Sequence, residues 1–403
     1  MSGKVKVKYI FPVSFPEGGG GTAMTLQNAK AIQAAGFDVE VLIPRSTERK
    51  GDTRNQNREG VYQGITFRYL VKSVVRPATL TGRYLNFIAG LANLFVYLKA
   101  ENEDSRLGPV IIKGPLDGIT LFLYVLVVKL IGLKCIYNFD DFPDYILFPG
   151  KYAKLEKFIS EKISFKLLDG FIVISTALRD FVRSAALDSK PVYLLPMTVD
   201  PMRFDSIDNS ISTPENYILY TGFDFNPGGQ FSSKDGLLGL ITAFSKIAGK
   251  FPGLMLVIIG ENNPIYHDHV KRLGVEGRVE FLGLRSRNEV SNYQKNARLL
   301  VLPRPWSKQA EGGFSSKLGE YLLTGNPVLL TSVGDATLYL EDMKDACFAI
   351  PGDDEDFRVK MEFLLQNESV ATEIGSNGRK AALEKFNHII EGKKLAPFLM
   401  SFR

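Results

Sequence analysis

A chain of 403 residues has room for two or three domains, and 45% hydrophobic with 23% charged residues is a globular composition that excludes a disordered or fibrous protein. A formal charge of +5 is too weak to argue for nucleic acid and suits anionic small molecules or an anionic membrane surface. Two cysteines and three histidines exclude a disulfide scaffold and leave little for a multi-cysteine or histidine-built metal site.

Lysine and valine alternate at the N-terminus, which lacks the apolar stretch of a signal peptide and reads as the start of a strand, Lys4 to Val13. The loop Ser14 to Gly21, SFPEGGGG, follows, then a helix from Thr22 closed by Gly36, then the strand Val39 to Ile43. Strand, glycine loop, helix and strand make a βαβ unit with a parallel sheet behind it. Arg45 to Gly60 is polar and reads as an exposed loop, Ile65 to Tyr69 as a strand, and Tyr84 to Leu98 carries apolar residues at helical spacing. Ile119 to Leu133 imitates a membrane span, but about 15 residues fall short of the roughly 20 a bilayer requires, and Lys129 interrupts them; a buried helix is expected. Val110 to Ile112, Cys135 to Tyr137, Phe171 to Ile174 and Tyr193 to Leu195 read as further strands.

The pattern restarts at Tyr217. Strands are expected at Tyr217 to Gly222, Leu254 to Ile259, Val279 to Leu282, Leu299 to Leu302 and Pro327 to Thr331. Helices at Leu237 to Gly249, His267 to Leu273, Asn288 to Lys295 and Lys317 to Leu323 alternate with them, and Glu355 to Arg403 reads as helical throughout. The expected fold class is therefore α/β, with two Rossmann-like, doubly wound parallel-sheet domains facing a cleft and C-terminal helices. The expected limits are 1–200 for the first domain, 201–215 for a polar linker, 216–380 for the second, and 381–403 for a helix able to cross back to the first. Ligands of such sheets bind at the carboxyl ends of the strands, so the loops there are where function is sought.

The segment Ser315 to Leu330, SSKLGEYLLTGNPVLL, resembles the donor-site helix of family-4 glycosyltransferases. Tyr220-Thr221-Gly222 with Lys234-Asp235-Gly236 is similar to the family's phosphate segment, and Pro196 to Phe204, PMTVDPMRF, to its inter-domain segment. Gly18 to Gly21 and Tyr137 to Asp144 match more weakly. The resemblance implies a GT-B fold, an acceptor-side first domain and a nucleotide-sugar-binding second domain. It implies a hexosyltransferase-type enzyme that moves a sugar from a nucleotide-diphosphate sugar with retention of configuration, without metal or other cofactor. The expected acceptor is a glycan or polyprenyl-linked lipid of surface polysaccharide or glycolipid biosynthesis. A nucleotide-sugar epimerase of the same architecture and a catalytically degenerate donor-binding subunit stand as alternatives.

An enzyme without a metal must stabilise a departing diphosphate with helix N-termini and cationic side chains. Gly313, Phe314, Ser315 and Ser316 lead into a helix whose first turn holds Lys317, where an acidic residue would suit the dipole better. That points to an anion nearby. Lys234 resembles the family's diphosphate lysine, and Glu320 the glutamate that accepts both hydroxyls of the ribose. Gly19, Gly20 and Gly21 let backbone approach the donor without a Cβ in the way.

Three departures from the family stand out. Its second glutamate falls on Gly312, so either Glu311 reaches the donor sugar through a shifted loop or it is a surface carboxylate. Its phosphate arginine is replaced by Phe223, with Arg304 a candidate substitute. Its catalytic-site histidine is absent: Asp140 takes that place or belongs to a solvated acidic loop, and Asp141 matches the aspartate that orients the acceptor. His267 and His269, two residues apart, point to different faces of a helix and make no metal pair. Apolar residues of Tyr84 to Leu98 near Arg76, Arg83 and Lys99, and the lysines of Lys151 to Lys166, suit either a core helix with a solvated lysine face or docking at an anionic leaflet. The expected location is cytoplasmic, with a peripheral contact at the inner face of the membrane under the second reading.

Overall fold

The computed structural model describes residues 4–52, 54–147, 149–186, 190–205, 211–223 and 235–403. They form two compact units, unit 1 being Met1–Thr198 with His388–Arg403 and unit 2 Val199–Asn387. Up to Thr198 the chain runs β1 (Lys6–Ile10), α1 (Gly20–Ala34), β2 (Asp38–Ile43), β3 (Glu59–Tyr62), β4 (Ile65–Tyr69), α2 (Leu80–Glu101), β5 (Leu107–Lys113), α3 (Gly118–Leu130), β6 (Cys135–Phe139), α4 (Asp144–Leu147), α5 (Ala153–Lys157), a wide π-type turn at Phe158–Ser164, α6 (Phe165–Leu167), β7 (Gly170–Val173), α7 (Thr176–Ala186) and β8 (Val192–Leu194). Unit 2 holds β9 (Tyr217–Gly222), α8 (Leu237–Ala248), β10 (Met255–Gly260), α9 (Pro264–Arg272), β11 (Val279–Gly283), α10 (Arg287–Asn296), β12 (Leu299–Leu302), α11 (Lys308–Gly312), α12 (Ser316–Thr324), β13 (Val328–Thr331), α13 (Ala336–Tyr339), β14 (Cys347–Ala349), α14 (Asp354–Gln366) and α15 (Glu368–Lys385). The last helix is α16 (His388–Met400).

The sheet of unit 1 has the order β3-β4-β2-β1-β5-β6-β7-β8 and is parallel except for the β3–β4 hairpin. That of unit 2 has the order β11-β10-β9-β12-β13-β14, parallel throughout. Each chain starts mid-sheet, winds outward on one side and returns to the other. The strand order therefore reverses between β1 and β5 and between β9 and β12, and the strand ends diverge there to leave a crevice. The strands read as apolar runs because helices cover both faces: β12 and β13 are buried at every position.

Several expectations are corrected. Arg45 to Gly60 is exposed over most of Arg49 to Glu59, as expected, but Ser46, Thr47, Glu48 and Asn55 are buried. Ser46 is held by Ser73 O and Asn86, and the other three bond to one another, with Glu48 Oε2 left without a hydrogen-bond partner. Thr47 Oγ1 and Asn55 Nδ2 donate to Glu48 Oε1 at 2.8 and 3.1 Å, and Asn55 exchanges bonds with the Glu17 backbone in the glycine loop. Gly20 and Gly21 already belong to α1, two residues before the expected start. The C-terminal stretch is three helices, broken at Asn367 and at Phe386–Asn387, where Val199 N–H donates to Phe386 O. α16 begins at His388 rather than 381 and packs on α1 within unit 1. Pro201 to Asp205, read as linker, and Val199 and Asp200, read as the end of the first domain, belong to unit 2. α3 buries Leu121, Tyr124, Val125 and Val128 but exposes Ile119 and Leu130. Among the described residues no helix is long and apolar enough to cross a membrane.

Candidate functional site

In unit 2 the candidate residues converge where the strand order reverses. β9 ends at Gly222, and α12 brings Lys317 against that end. A Cβ at Gly222 would collide with Lys317 Nζ, and its φ of +139° is in any case a conformation that favours glycine. Lys317 Nζ lies 4.9 Å from the centre of the Tyr220 ring and donates to Asp235 Oδ2 at 2.5 Å. Tyr220 Oη donates to the same oxygen at 2.8 Å, and Arg304 Nε stands 3.5 Å from Asp235 Oδ1. Two cations and a hydroxyl thus surround one buried carboxylate. Burial opposes its ionisation, but Lys317, Arg304 and the hydrogen bonds outweigh it and bring the Asp235 pKa down to about 2.

A carboxylate with a depressed pKa stabilises the fold fully above its ordinary value and loses that contribution as the pH falls through its native value. The shift corresponds to about 2 kcal/mol. Unit 2 is therefore expected to lose that much stability between about pH 5 and pH 2 through Asp235 alone. The Asp235→Asn variant should show a correspondingly shallower acid dependence in urea midpoints. An unchanged slope would contradict the assignment.

The N-terminus of α12 is open. Its N-cap, Ser315, makes no side-chain capping bond, so hydroxyl and backbone N–H groups stay available to an anion. Arg304, Gly313, Phe314 and Ser315 line one small cavity there. The Phe314 ring packs on Tyr339 and Phe386 at centroid distances of 5.6 and 5.7 Å. Glu320, one turn along, accepts from Arg203 Nη2 and Gln294 Nε2, both at 3.1 Å. Arg203 comes from the segment expected to be linker. Tyr321 holds the other face of α12 to β9 through bonds with Thr221. Glu311 lies in α11, 3.2 Å from Lys308 Nζ, in an exposed pair. Lys234 lies outside the described residues.

Unit 1 carries a second cluster at its own reversal. Lys113 ends β5 and is 3% exposed; its ammonium is paired with Asp140, just past β6. Asn138 lies between them: its Oδ1 accepts from Tyr9 Oη and from Asn28 Nδ2 at 2.9 Å. Complete burial pushes the Lys113 pKa well down, and the Asp140 carboxylate works the other way. Asp141 accepts from the N–H of Phe142 at 3.0 Å. The space where Cβ atoms of Gly19, Gly20 and Gly21 would stand is open, which leaves the start of α1 accessible.

The structure brings Gly313, Ser315, Ser316, Lys317, Glu320 and Arg304 to one end of the unit 2 sheet, with Glu311 on its surface side. Asp140 and Gly19 to Gly21 lie at the carboxyl ends of β6 and β1 in unit 1. Sequence reading missed Lys113, Asn28, Arg203 and Gln294. Only Lys113 gave a signal, as a charge closing an apolar strand. His267 and His269 bond to Asn262 and Thr242, at 2.7 and 2.8 Å. Among the described residues no group of three or more His, Cys, Asp or Glu side chains is arranged to hold a metal.

Two parallel-sheet units, with polar clusters at their reversal points, define a protein of the doubly wound two-domain class. Residues 216–381, within unit 2, match the family described as Glycosyl transferases group 1. Trehalose synthase of Thermococcus litoralis is 24% identical over 220 residues, 50% of each chain. The chain spans about half the length of the curated relatives it matches. Among solved structures, sucrose-phosphate synthase of Thermosynechococcus elongatus is similar with a TM-score of 0.73 at 15% identity, covering 98% of both chains. Anabaena HepE in complex with UDP-glucose gives 0.68 at 15% identity, covering 98% of this chain and 99% of that one. The fold is GT-B.

Proposed function

We propose that the protein is a retaining, family-4-like glycosyltransferase that moves a sugar from a nucleoside-diphosphate sugar to a glycan or lipid-linked acceptor. The observation that carries this reading is the open N-terminus of α12 beside Lys317 and Arg304, inside the matched domain. In this reading the diphosphate sits on the first N–H groups of α12, within reach of Ser315 and Ser316, and draws Lys317 from Asp235. Arg304 stands in for the arginine that Phe223 replaces. Glu320, steadied by Arg203 and Gln294, accepts the ribose hydroxyls. These cations take the charge of the leaving group, and no metal or other cofactor is called on. The UDP-glucose bound by the similar HepE supports a nucleotide-sugar donor. Retention follows the family resemblance.

The reading extends to surface polysaccharide or glycolipid synthesis at the inner face of a membrane. α2 buries only Gly90, Leu94 and Leu98 and exposes Leu80, Tyr84, Leu85 and Ile88. Tyr152, Leu155 and Phe158 are exposed among Lys151, Lys154 and Lys157. Apolar side chains among cations suit an anionic leaflet.

Donor binding is tested by thermal shift with UDP and UDP-glucose. Ligand at 100 times its dissociation constant adds about 2.7 kcal/mol to native stability. Transfer to a lipid-linked oligosaccharide then identifies the reaction. An isomerised donor without transfer would favour an epimerase, UDP binding without turnover a donor-binding subunit, and no nucleoside-diphosphate binding at all would overturn the reading.

A further inference from the structure

We propose that Arg45, Arg49, Arg76 and Arg83 of unit 1 form a binding site for a phosphoryl group carried by the acceptor. The acceptor role rests on the transferase reading, whereas the phosphoryl site itself stands on unit 1 alone. The four residues follow β2 and β4, at the carboxyl edge of the sheet. Backbone pairing lays the segment that holds Arg45 and Arg49 alongside the segment that holds Arg76: Thr47 and Glu48 N–H both donate to Val74 O at 2.9 Å, and Arg76 N–H donates to Glu48 O at 2.8 Å. Arg83, in the first turn of α2, is tied to the same segment through Nε–H to Pro77 O at 3.1 Å. Arg45 Nε–H donates to Pro12 O at 2.6 Å, which sets the cluster beside the loop that leads into α1. Asn86 of α2 bonds Ser46 through both its Oδ1 and its Nδ2, at 3.0 Å each, locking α2 to this edge.

None of the four has a carboxylate at ion-pair distance among the described residues, and Arg49 and Arg76 make no side-chain hydrogen bond there. In the same unit Arg54, Arg68 and Arg106 each hold a carboxylate, at 2.6 to 3.2 Å. Like charges are thus gathered with no direct ion pair to offset them. Burial, and then Arg45, Arg49 and Arg83, push the Arg76 pKa below its ordinary value, with Glu48 acting the other way. Among the described residues Glu48 is the one buried countercharge beside the cluster: its Oε1 accepts from Thr47 and Asn55, its Oε2 has no hydrogen-bond partner, and a single carboxylate faces four guanidinium groups. Guanidinium groups bind phosphate oxygens bidentately, and a phosphoryl dianion would relieve the repulsion that the cluster carries. A phosphorylated sugar and a polyprenyl-linked diphosphate present the same chemistry.

The test uses the full chain with unit 2 saturated by UDP. Calorimetric titration with fructose 6-phosphate reads a soluble phosphoryl ligand. Co-sedimentation with phosphatidylcholine vesicles carrying a polyprenyl diphosphate, against vesicles carrying the polyprenol, reads a lipid-borne one. At least one phosphorylated probe is expected to bind, and the Arg49→Gln, Arg76→Gln variant to bind it at least about tenfold more weakly with UDP affinity unchanged. The Arg49→Lys, Arg76→Lys variant keeps the charge and is expected to recover part of the affinity. Whichever probe binds names the source. The proposal is overturned if neither phosphorylated probe binds, if the Gln variant binds as the wild type does, or if polyprenol vesicles bind as well as diphosphate vesicles. Loss of UDP binding in the wild type strikes the transferase reading alone, because the comparison of Arg variants still decides the phosphoryl site.

Discussion

Replacing Lys113 by methionine is expected to lower the melting temperature of unit 1 by roughly 6 to 20 °C. Breaking a buried ion pair by removing one partner costs about 3–5 kcal/mol, and for a unit of this size each kcal/mol moves the midpoint by about 2–4 °C. The loss arises because the Asp140 carboxylate, 12% exposed at its side chain, would remain in a low-dielectric site with no cation against it. Asn138 cannot replace the lysine: its Nδ2 already donates to Asp140 Oδ1 at 3.4 Å, and a neutral amide brings no charge to offset the carboxylate. Asp140→Asn is expected to be milder, since a buried lysine can shed its proton and Lys113 is already pushed that way. The double variant, Lys113→Met with Asp140→Asn, should regain part of the loss because the stranded charge goes with its partner. Scanning calorimetry of the four proteins checks this. A Lys113→Met protein as stable as the wild type would show that the pair carries no weight.

The second large effect is kinetic. Lys317→Ala is expected to lower kcat by about 100-fold, near 3 kcal/mol, with a smaller change in KM for the donor. The leaving diphosphate gains charge as the glycosidic bond breaks, so a cation acting on it strengthens in the transition state more than in the ground state. In the unliganded protein Lys317 is spent on Asp235, with Arg304 on the other carboxylate oxygen. Binding a diphosphate must draw Lys317 away, and Arg304 and Tyr220 then keep Asp235 compensated. Glu320→Gln, by contrast, touches a ribose that does not change during reaction, and should mainly raise donor KM. Steady-state kinetics with UDP affinity measured separately resolve the two. Wild-type turnover in Lys317→Ala would remove the diphosphate assignment.

The parallel sheets were readable because their strands are continuous apolar runs ending in glycine or proline, as at Gly222, Gly260 and Pro303. α12 was readable because a lysine in the first turn of a helix conflicts with the dipole and so asks for an anion. What stayed hidden is pairing. Nothing in local pattern says that Lys113 meets Asp140, or that Arg203 reaches Glu320, because each pair is made by the crossover connections of the sheet rather than by spacing. Polarity misled in one place: Thr47, Glu48 and Asn55 look solvated as a string, yet they are buried and joined by hydrogen bonds.

α16 belongs to unit 1 yet follows unit 2 in the chain, and its consequence lies in synthesis. Leu395, Leu399 and Phe402 complete the same core as Val7, Tyr9 and Ile32, and Gly392 fits against Ala31 so closely that a Cβ there would strike its carbonyl. The ribosome therefore delivers nearly all of unit 1 long before the piece that closes it. All of Val199–Asn387 must emerge in between. At about 5–20 residues per second that interval is roughly 10 to 40 seconds, during which unit 1 presents an apolar groove along α1. Unit 2, contiguous in sequence, can finish folding first, so the later-made half of the protein matures before the earlier one. For those seconds the nascent chain is a client for whatever shields exposed apolar surface at the tunnel exit.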